Sequence, residues 1–345
     1  MAGFKQKNYR IMFFLLVFIV SNIFSFSTFA AISPPKTHFL SSELMNRPER
    51  YRRMSNKRLS LRRFKIKKDS VLRLKKSSFW NKRPYQFSTP LVSDDMLFVG
   101  VDAGRFYGVA LNRQKKIWEF VAEGPIQTKA AFADGVIYFG DAKSNVYALD
   151  SKTGVQKWRT HLDTEILASP LVVSNRVYIV DMSGRLYALD AATGVEFWHT
   201  PPSDKGIGFS VRRASNPVLV SGLIVVGNSN GALMAYQESD GQVAWVRQLG
   251  DRQTQFYDVD STPLVAGDNL YVTSADGALF CVQAVSGKVV WQAPVGGANN
   301  VLLNDDKLYV SGEGILSALN PEDGNIFWQQ NFAPPDISSP AGGKD

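Results

Sequence analysis

Residues Ala168–Trp198 read ASPLVVSNRVYIVDMSGRLYALDAATGVEFW. Four short runs rich in β-branched and aromatic residues alternate there with the turn-forming pairs Ser-Asn, Ser-Gly and Thr-Gly. This pattern predicts four strands joined by tight turns, at Pro170–Val173, Val177–Val180, Leu186–Leu189 and Val195–Trp198. Strands that follow one another through such short turns pair as one antiparallel sheet.

The same unit recurs with a period of about 40 residues, upstream at 130–158 and, more loosely, downstream at 216–245. All seven tryptophans of the chain end such a unit, at Trp80, Trp118, Trp158, Trp198, Trp245, Trp291 and Trp328. Glycines that supply the positive φ of a tight hairpin shortly precede the last five, at Gly154, Gly194, Gly241, Gly287 and Gly324. Because a four-stranded sheet cannot bury both faces alone, the repeat predicts an all-β protein, a β-propeller with tryptophans packed between its blades.

Six complete blades are predicted at residues 86–118, 128–158, 168–198, 215–245, 261–291 and 299–328. Residues 61–83 are similar to the end of a blade, and residues 334–345 restart the pattern that opens one. Since a propeller ring must hide its edge strands, we expect these two pieces to close the ring as one shared blade. The predicted propeller then spans residues 61–345 and has seven blades.

Residues 1–30 have the layout of a secretory signal peptide. Basic residues precede the apolar run Ile11–Val20, and the small residues Thr28 and Ala30 stand at the −3 and −1 positions for cleavage. We expect an exported protein of the periplasm or cell envelope. An uncleaved inner-membrane anchor is the alternative, because about 20 apolar residues suffice to span a bilayer.

Basic charge is concentrated ahead of the propeller. Lys and Arg outnumber Asp and Glu by 17 to 3 in residues 36–83, whereas the ratio is 19 to 28 in residues 84–345. The net charge of +8 therefore belongs to an arm and not to a nucleic-acid-binding fold. Residues 31–60 are predicted to be a poorly ordered basic linker. The basic residues of 61–76 are expected to face solvent on outer strands, and the alternative function of this charge is contact of Arg47–Arg63 with anionic phospholipid, lipopolysaccharide or peptidoglycan.

Recognised catalytic motifs are absent from the sequence. The three histidines, at His38, His161 and His199, have no serine or carboxylate at a motif spacing, and no metalloprotease, P-loop, CxxC or nucleophile-elbow pattern occurs. The single cysteine, Cys281, lies inside a predicted strand and is expected to pack there. We interpret the repeated Asp150, Asp190, Asp240 and Asp323 as hairpin-turn residues. No catalytic residue, metal or cofactor is predicted.

Two consecutive connections between blades are longer than the others. Most take 10 to 12 residues from a tryptophan to the proline, or its equivalent, that opens the next blade. The first long connection, from Trp198 to Pro217, takes 19 residues, and the second, from Trp245 to Pro263, takes 18. Connections of neighbouring blades emerge on one face of a propeller, so we expect both to form a single raised surface.

The candidate partner-binding residues lie in these two connections, at Phe209, Val211, Arg212, Arg213, Asp258 and Asp260. Exposed aromatic residues and arginine are enriched in protein-binding hot spots. The alternative is a local ion pair of Arg212 with Asp258 or Asp260. A surface ion pair contributes only about 0 to 1 kcal/mol to folding stability, so stability is a weak explanation for two extended connections.

The repeat pattern SPxVxxxxVYxxxxxGxLYALDxxTGxxxW resembles that of quinoprotein-type (PQQ-like) β-propellers. Residues 206–328 further resemble the BamB family, whose propeller belongs to the outer-membrane β-barrel assembly machine. The stretches that carry this likeness are GIGFSVRRASNP (Gly206–Pro217) and DRQTQFYDVDSTP (Asp251–Pro263). By this resemblance, the residues that would face the POTRA domains of the barrel-assembly protein are Phe209, Val211, Arg212, Asp258 and Asp260.

The chain departs from the family pattern in three ways. Phe209 and Arg213 stand where BamB has leucine and glycine, and the resemblance implies eight blades rather than seven. The family attaches a lipid to a cysteine after the signal, but the one cysteine here is Cys281. Direct anchoring to the outer membrane is therefore not predicted.

The leading hypothesis is a non-enzymatic, monomeric periplasmic scaffold that binds POTRA domains and assists outer-membrane protein assembly. One alternative is a quinoprotein-like oxidoreductase or small-ligand sensor that uses the propeller channel. The adjacent cysteine pair that the quinoprotein resemblance implies is missing, since Cys281 stands alone. The other alternative is binding to the cell envelope through the basic arm alone.

Overall fold

A computed structural model of the chain describes residues 88–113, 115–202, 215–250, 258–259, 261–295, 301–312 and 314–331. These ranges contain 24 strands and no helix. The strands form six antiparallel four-stranded sheets, each built from four strands consecutive in sequence that pair in chain order. The predicted signal peptide (1–30), linker (31–60) and ring-closing pieces (61–83 and 334–345) lie outside the described residues.

The strands of the first three sheets are β1 (Leu91–Ser93), β2 (Met96–Val101), β3 (Arg105–Ala110), β4 (Lys115–Val121), β5 (Ala131–Ala133), β6 (Val136–Gly140), β7 (Asn145–Asp150), β8 (Gln156–His161), β9 (Leu171–Val173), β10 (Arg176–Val180), β11 (Leu186–Asp190) and β12 (Glu196–His199). Those of the last three are β13 (Val218–Val220), β14 (Leu223–Gly227), β15 (Ala232–Gln237), β16 (Val243–Gln248), β17 (Leu264–Ala266), β18 (Asn269–Thr273), β19 (Ala278–Gln283), β20 (Val289–Pro294), β21 (Val301–Asn304), β22 (Lys307–Gly312), β23 (Ile315–Leu319) and β24 (Ile326–Asn331). Each sheet coincides with one of the six complete blades predicted from the sequence, which confirms the repeat and the all-β class.

Apolar clusters lie between successive sheets, as radial packing requires. One such cluster between the first and second sheets contains Phe106 and Phe139, whose rings stack with centroids 4.3 Å apart. Another joins the third and fourth sheets through Tyr178 and Ile224, both fully buried. The two middle strands of each sheet supply most of this core, since their faces are covered by the sheets on either side.

Each described tryptophan–glycine pair links one sheet to the next. Trp158 of the second sheet lies on Gly194 of the third, where an added Cβ would come 2.6 Å from the indole ring. The same indole donates its Nε1–H to the Ala191 carbonyl at 2.9 Å. Gly194 has φ +73°, so the hairpin turn and the ring both require glycine there. The predicted role of the tryptophans in packing between blades is confirmed for these sheets.

Apolar residues lie at both ends of the described series. The first sheet has a buried cluster of Val99, Val101, Tyr107 and Val109, and Trp328 on the last sheet is 38% exposed. The predicted closing pieces, residues 61–83 and 334–345, lie outside the described ranges. The seven-blade count therefore stays a prediction.

Cys281 packs as a small core residue. It pairs with Trp291 across β19 and β20, the position that alanine holds in the second, third, fourth and sixth sheets. The side chain is 1% exposed, and burial raises the pKa of its thiol to about 11. The predicted packing role is confirmed.

We expect Cys281 to resist thiol reagents while the propeller is folded. At pH 8 only about a thousandth of a thiol with a pKa near 11 is ionised, and the thiolate is the reactive form. Addition of Ellman's reagent should release no chromophore until denaturant unfolds the chain, after which one equivalent should appear. Rapid stoichiometric labelling of the native protein would contradict this burial.

Candidate functional site

The connections between sheets lie beside the turns that follow the second strand of each sheet, and together they form one face, here called the connecting face. Met182, in such a turn of the third sheet, donates its N–H to the carbonyl of Glu165 in the connection before it at 2.9 Å. Ala142 and Ala275 make the same bond in the second and fifth sheets. These three connections are therefore each held against the turn of the sheet that follows.

Two backbone anchors hold an ordinary connection. After Trp158, the Leu162 N–H donates to the Ser144 carbonyl at 2.7 Å. Before Pro170, the Ile166 N–H donates to the Asp141 carbonyl at 3.3 Å. The first anchor stands four residues after the tryptophan, and the second stands four residues before the proline.

The second anchor includes an apolar seat. Ile126, Ile166 and Val259 are all fully buried, and each lies over a glycine at the end of the second strand of its sheet or one residue before it. An added Cβ on Gly140 would come 2.3 Å from Ile166, and one on Gly227 would come 2.1 Å from the Val259 carbonyl oxygen. A side chain at the glycine position would therefore exclude the isoleucine or valine that packs over it.

The second long connection keeps both anchors. Leu249 donates to the Gly231 carbonyl at 2.9 Å, and Val259 donates to the Asn228 carbonyl at 3.0 Å. The anchor residues stand ten positions apart instead of the four that separate Leu162 from Ile166. The whole excess of length therefore lies between two fixed points on the Asn228–Gly231 turn.

The first long connection differs from the others at both anchor positions. Pro202 stands four residues after Trp198, and proline has no N–H to donate. At the end of the second strand of the third sheet, Val180 replaces the glycine and is itself 1% exposed, so its own side chain fills the seat. Sequence patterns alone did not reveal this difference, because it depends on backbone partners.

The structure does bring the two long connections together where they end. Ser215 Oγ donates to the Ser261 carbonyl at 2.9 Å, and Asn216 Nδ2 donates to Thr262 Oγ1 at 2.6 Å. Ser215 and Ser261 are both buried. The segments that carry the candidate residues are thus joined at a rigid, hydrogen-bonded base.

Of the candidate residues, the structure describes Asp258. It is 5% exposed, and its carbonyl accepts a hydrogen bond from the Ala275 N–H at 2.8 Å. Direct contact between its carboxylate and a partner would require the loop to move. The others, at Phe209, Val211, Arg212, Arg213 and Asp260, lie outside the described residues.

A buried amide on the turn that anchors the second long connection was missed at the sequence level. Asn228 is 5% exposed, and its Nδ2 has no hydrogen-bond partner among the described residues. The second and third sheets have Asp141 and Asp181 at this position, and these accept hydrogen bonds from Tyr147 and Tyr187 at 3.0 and 3.2 Å. The spacing of six residues between aspartate and tyrosine was the available signal.

The fourth sheet lacks the tyrosine of this aspartate–tyrosine pair. Burial raises the pKa of Tyr147 and of Tyr187 to about 12, so both phenols are protonated donors at neutral pH. Met234 stands six residues after Asn228, where the other two sheets have tyrosine. With no phenol to donate, a carboxylate at position 228 would be buried without that partner, and an amide stands there instead.

The junction between the third and fourth sheets also differs. Arg176 Nη1 donates to the Glu238 carbonyl at 2.6 Å, the acceptor that corresponds to Ala191 in the preceding junction. Trp198 Nε1 is buried and has no partner in the described part of the chain. Of the five junctions between described sheets, this one alone lacks the indole hydrogen bond, and the first long connection leaves from it.

The repeated hairpin aspartates have structural partners. Asp150 Oδ1 accepts the Lys152 and Thr153 N–H groups at 3.1 and 2.9 Å, and Asp190 repeats this arrangement. The Thr153 hydroxyl also donates to Asp150 and lowers the pKa of that carboxyl. The interpretation as turn residues is confirmed. Within the described ranges, no group of three or more His, Cys, Asp or Glu side chains could hold a metal ion.

The family described as outer membrane protein assembly factor BamB matches residues 109–330, which is more than half of this chain. The chain belongs to the BamB family. BamB of Salmonella typhimurium is 31% identical over 258 residues, which cover 70% of this chain and 65% of that protein. The chain thus spans about two thirds of the length of this curated relative.

Solved structures agree on the fold. The crystal structure of BamB from Moraxella catarrhalis has a TM-score of 0.65 at 22% identity and covers 71% of this chain and 76% of its own. The quinohemoprotein alcohol dehydrogenase of Comamonas testosteroni has a TM-score of 0.53 at 16% identity, covering 61% of this chain and 43% of its own. At these identities both likenesses concern the β-propeller fold alone.

Proposed function

We propose that this BamB-family chain is a non-enzymatic, monomeric scaffold of the cell envelope that assists outer-membrane protein assembly. It binds the POTRA domains of the barrel-assembly protein through its two long connections. Family membership supports the assembly role. The choice of surface rests on the chain itself, because length and composition both single out the same pair of neighbouring connections, and hydrogen bonds join their ends.

The observation that carries the proposal is the joined base of the two connections. Ser215 to Ser261 and Asn216 to Thr262 are direct hydrogen bonds between residues whose sheets are adjacent. Rigid ends limit the conformational entropy that the connections lose when a partner binds. Arg212 and Phe209 are the residue types that dominate such interfaces.

Binding between purified partners tests the proposal. The full chain, without residues 1–30, would be titrated with the periplasmic POTRA region of the barrel-assembly protein from the same organism. We expect saturable one-to-one binding with a dissociation constant of about 1 µM, which corresponds to about −8 kcal/mol. Absence of heat and of co-elution at about 100 µM, with a native circular dichroism spectrum, would contradict the proposal.

The same preparation separates the alternatives. Incubation with pyrroloquinoline quinone and calcium should leave no bound chromophore after gel filtration, and a stoichiometric chromophore would favour the oxidoreductase. Sedimentation with anionic vesicles, with and without residues 31–60, tests the basic arm. POTRA binding that survives removal of the arm would assign the interaction to the propeller.

Export is the prediction that follows for residues 1–30. We expect cleavage after Ala30, so the mature protein should begin at Ala31 and leave spheroplasts with the periplasmic fraction. Intact mass spectrometry and fractionation measure both. A mass that matches the full chain, together with recovery in the inner membrane, would instead establish an uncleaved anchor. In the residues that the structure describes, no helix is long and apolar enough to cross a membrane.

A further inference from the structure

An open cavity of about 400 Å³ lies between the second and third sheets. It is lined by the turns between the first and second strands of both sheets, at Asp134 and Ser174–Asn175, and by the start of the next hairpin at Ala191–Ala192. The buried Tyr138 also lines it. These turns lie at the ends of the strands away from the connecting face, and the volume is that of a small-ligand site.

The equivalent space between the third and fourth sheets contains an arginine of the propeller itself. Arg176, the first residue of β10, donates from Nη1 to the carbonyls of Glu238 and Ser239 at 2.6 and 3.3 Å. Its guanidinium carbon lies 5.0 Å from the centre of the Phe197 ring. This junction shows how the groove between two blades accommodates a guanidinium group, through backbone carbonyls on one side and a ring on the other.

Two smaller residues leave this space open between the second and third sheets. Val136 begins β6, as Arg176 begins β10. Ala191 stands where the next junction has Glu238, since each supplies a carbonyl that accepts a tyrosine hydroxyl. Valine and alanine are shorter than arginine and glutamate. The cavity therefore occupies the place that an arginine side chain takes one blade further on.

Carboxylates make the surroundings of the cavity negative. Asp134 stands where the third sheet has Ser174, 40 residues later, so this turn has an additional carboxylate at the rim. Burial, and then the negative charges of Asp134 and Asp190, raise the pKa of Tyr138 inside the cavity. A cation at the same place would be stabilised by the two carboxylates.

Lys157 is the one basic residue among those that line the cavity. It stands 40 residues before Phe197, the ring that covers Arg176. Its charge acts on Asp150, whose pKa is lowered first by the Thr153 hydroxyl and to a smaller extent by Lys157. The ammonium group is therefore partly balanced by a further carboxylate, and its aliphatic stem can cover an apolar group.

We propose that this cavity binds an arginine side chain presented by another protein, with the guanidinium group beside Asp134. The bound side chain takes the place that Arg176 takes in the neighbouring junction. Guanidinium is favoured over ammonium because its planar set of donors can bind a carboxylate and a carbonyl together. The cavity is separate from the two long connections, so the inference does not depend on POTRA binding.

Blocked arginine tests the inference on the full chain without residues 1–30. N-acetyl-arginine-N-methylamide presents the side chain as a polypeptide does, and methyl-labelled alanines report its position by NMR. We expect saturable shifts of the Ala133, Ala191 and Ala192 methyl groups with a dissociation constant of about 1 mM. The methyl group of Ala235, buried in the fourth sheet, should not shift.

Two further probes examine the ligand chemistry. The norleucine analogue, which lacks the guanidinium group, should bind at least about tenfold more weakly. Free L-arginine should bind no more tightly than the blocked form. Equal binding of the norleucine analogue, tighter binding of free arginine, or no shift at about 10 mM blocked arginine would each overturn the inference.

Two variants locate the binding. Val136→Arg introduces the residue of the third sheet, so it should fill the cavity and abolish the shifts. Asp134→Asn removes the carboxylate but keeps a residue type that tolerates the φ of +49° at this position, and it should weaken binding about fivefold. If circular dichroism shows that Val136→Arg misfolds, Asp134→Asn decides the result.

A matched control is Asp94→Asn. Asp94 lies 40 residues before Asp134, in the same turn of the first sheet with φ +50°, and does not line the cavity. This variant should bind blocked arginine as the wild type does. Wild-type affinity in a folded Val136→Arg variant, or equal losses in Asp134→Asn and Asp94→Asn, would place the binding elsewhere and overturn the inference.

Discussion

Replacing Gly194 with alanine is expected to destabilise the propeller by about 3 kcal/mol. An alanine forced into the left-handed region costs about 1 to 2 kcal/mol, and overpacking adds about 1 to 3 kcal/mol. Both costs apply here, since Gly194 has φ +73° and an added Cβ would lie 2.6 Å from the Trp158 ring. Urea unfolding monitored by tryptophan fluorescence should show a lower midpoint, and the melting temperature should fall by about 6 to 12 °C.

The control for this prediction is Gly135→Ala. Gly135 has φ +76°, almost the same backbone conformation, but no atom lies within 4 Å of a Cβ built there. The alanine should cost only the backbone term, about 1 to 2 kcal/mol. If both variants unfold at the same urea concentration, the contact between glycine and indole does not contribute to the joining of the blades.

Replacing Arg212 with alanine is expected to weaken POTRA binding by about 2 to 5 kcal/mol, the usual cost of truncating a charged residue that becomes buried in an interface. This corresponds to a loss of about 30-fold or more, enough to abolish co-purification of a micromolar complex. The melting temperature should not change, because Arg212 lies in the sequence segment that connects two blades, between Trp198 and Pro217. Titration calorimetry and a thermal melt measure the two quantities.

Lys152→Ala and Lys288→Ala are the matched controls. Both lysines are exposed in hairpins of ordinary length between the third and fourth strands, away from the long connections. Each removes one positive charge, as Arg212→Ala does, and should change only the association rate by a small factor. Equal binding by Arg212→Ala and by these controls would leave the two long connections without a role in partner recognition.

The aspartates of the second long connection need separate variants. Asp258 is 5% exposed, so Asp258→Ala is expected to lower stability as well as binding, whereas Asp260→Ala tests the neighbouring carboxylate. Comparing melting temperatures of the two variants with their affinities separates a loss of loop structure from a loss of contact. A double variant alone would confuse these effects.

Much of the fold could be predicted because its determinants are local and repeated. The tryptophan at the end of each unit and the glycine shortly before it recur often enough to define six sheets, and the third sheet was placed to within one residue at each strand boundary. The excess length of two connections is also visible by counting. Residues such as Arg212 and Phe209 could be singled out by composition, since hot-spot residue types are known.

The anchors of the connections could not be predicted, because they are hydrogen bonds between backbone groups far apart in sequence. Pro202 and Val180 look ordinary in a linear reading, and only the partners of Leu162 and Ile166 in the preceding connection show what these two residues replace. The same holds for Arg176, which takes the carbonyl that an indole takes elsewhere.

The sequence by itself determined the blade repeat, the packing role of the tryptophans and the position of the two long connections. Hydrophobic alternation, turn chemistry and chain length are properties of contiguous residues, so each can be read without a partner. Only the tertiary structure decided that Asp258 is buried, that Ser215 and Asn216 join the second connection, and that the Asn228 amide lacks an acceptor among the described residues. Burial and hydrogen-bond satisfaction depend on which distant residues the folded chain brings within contact distance, and no local pattern encodes that.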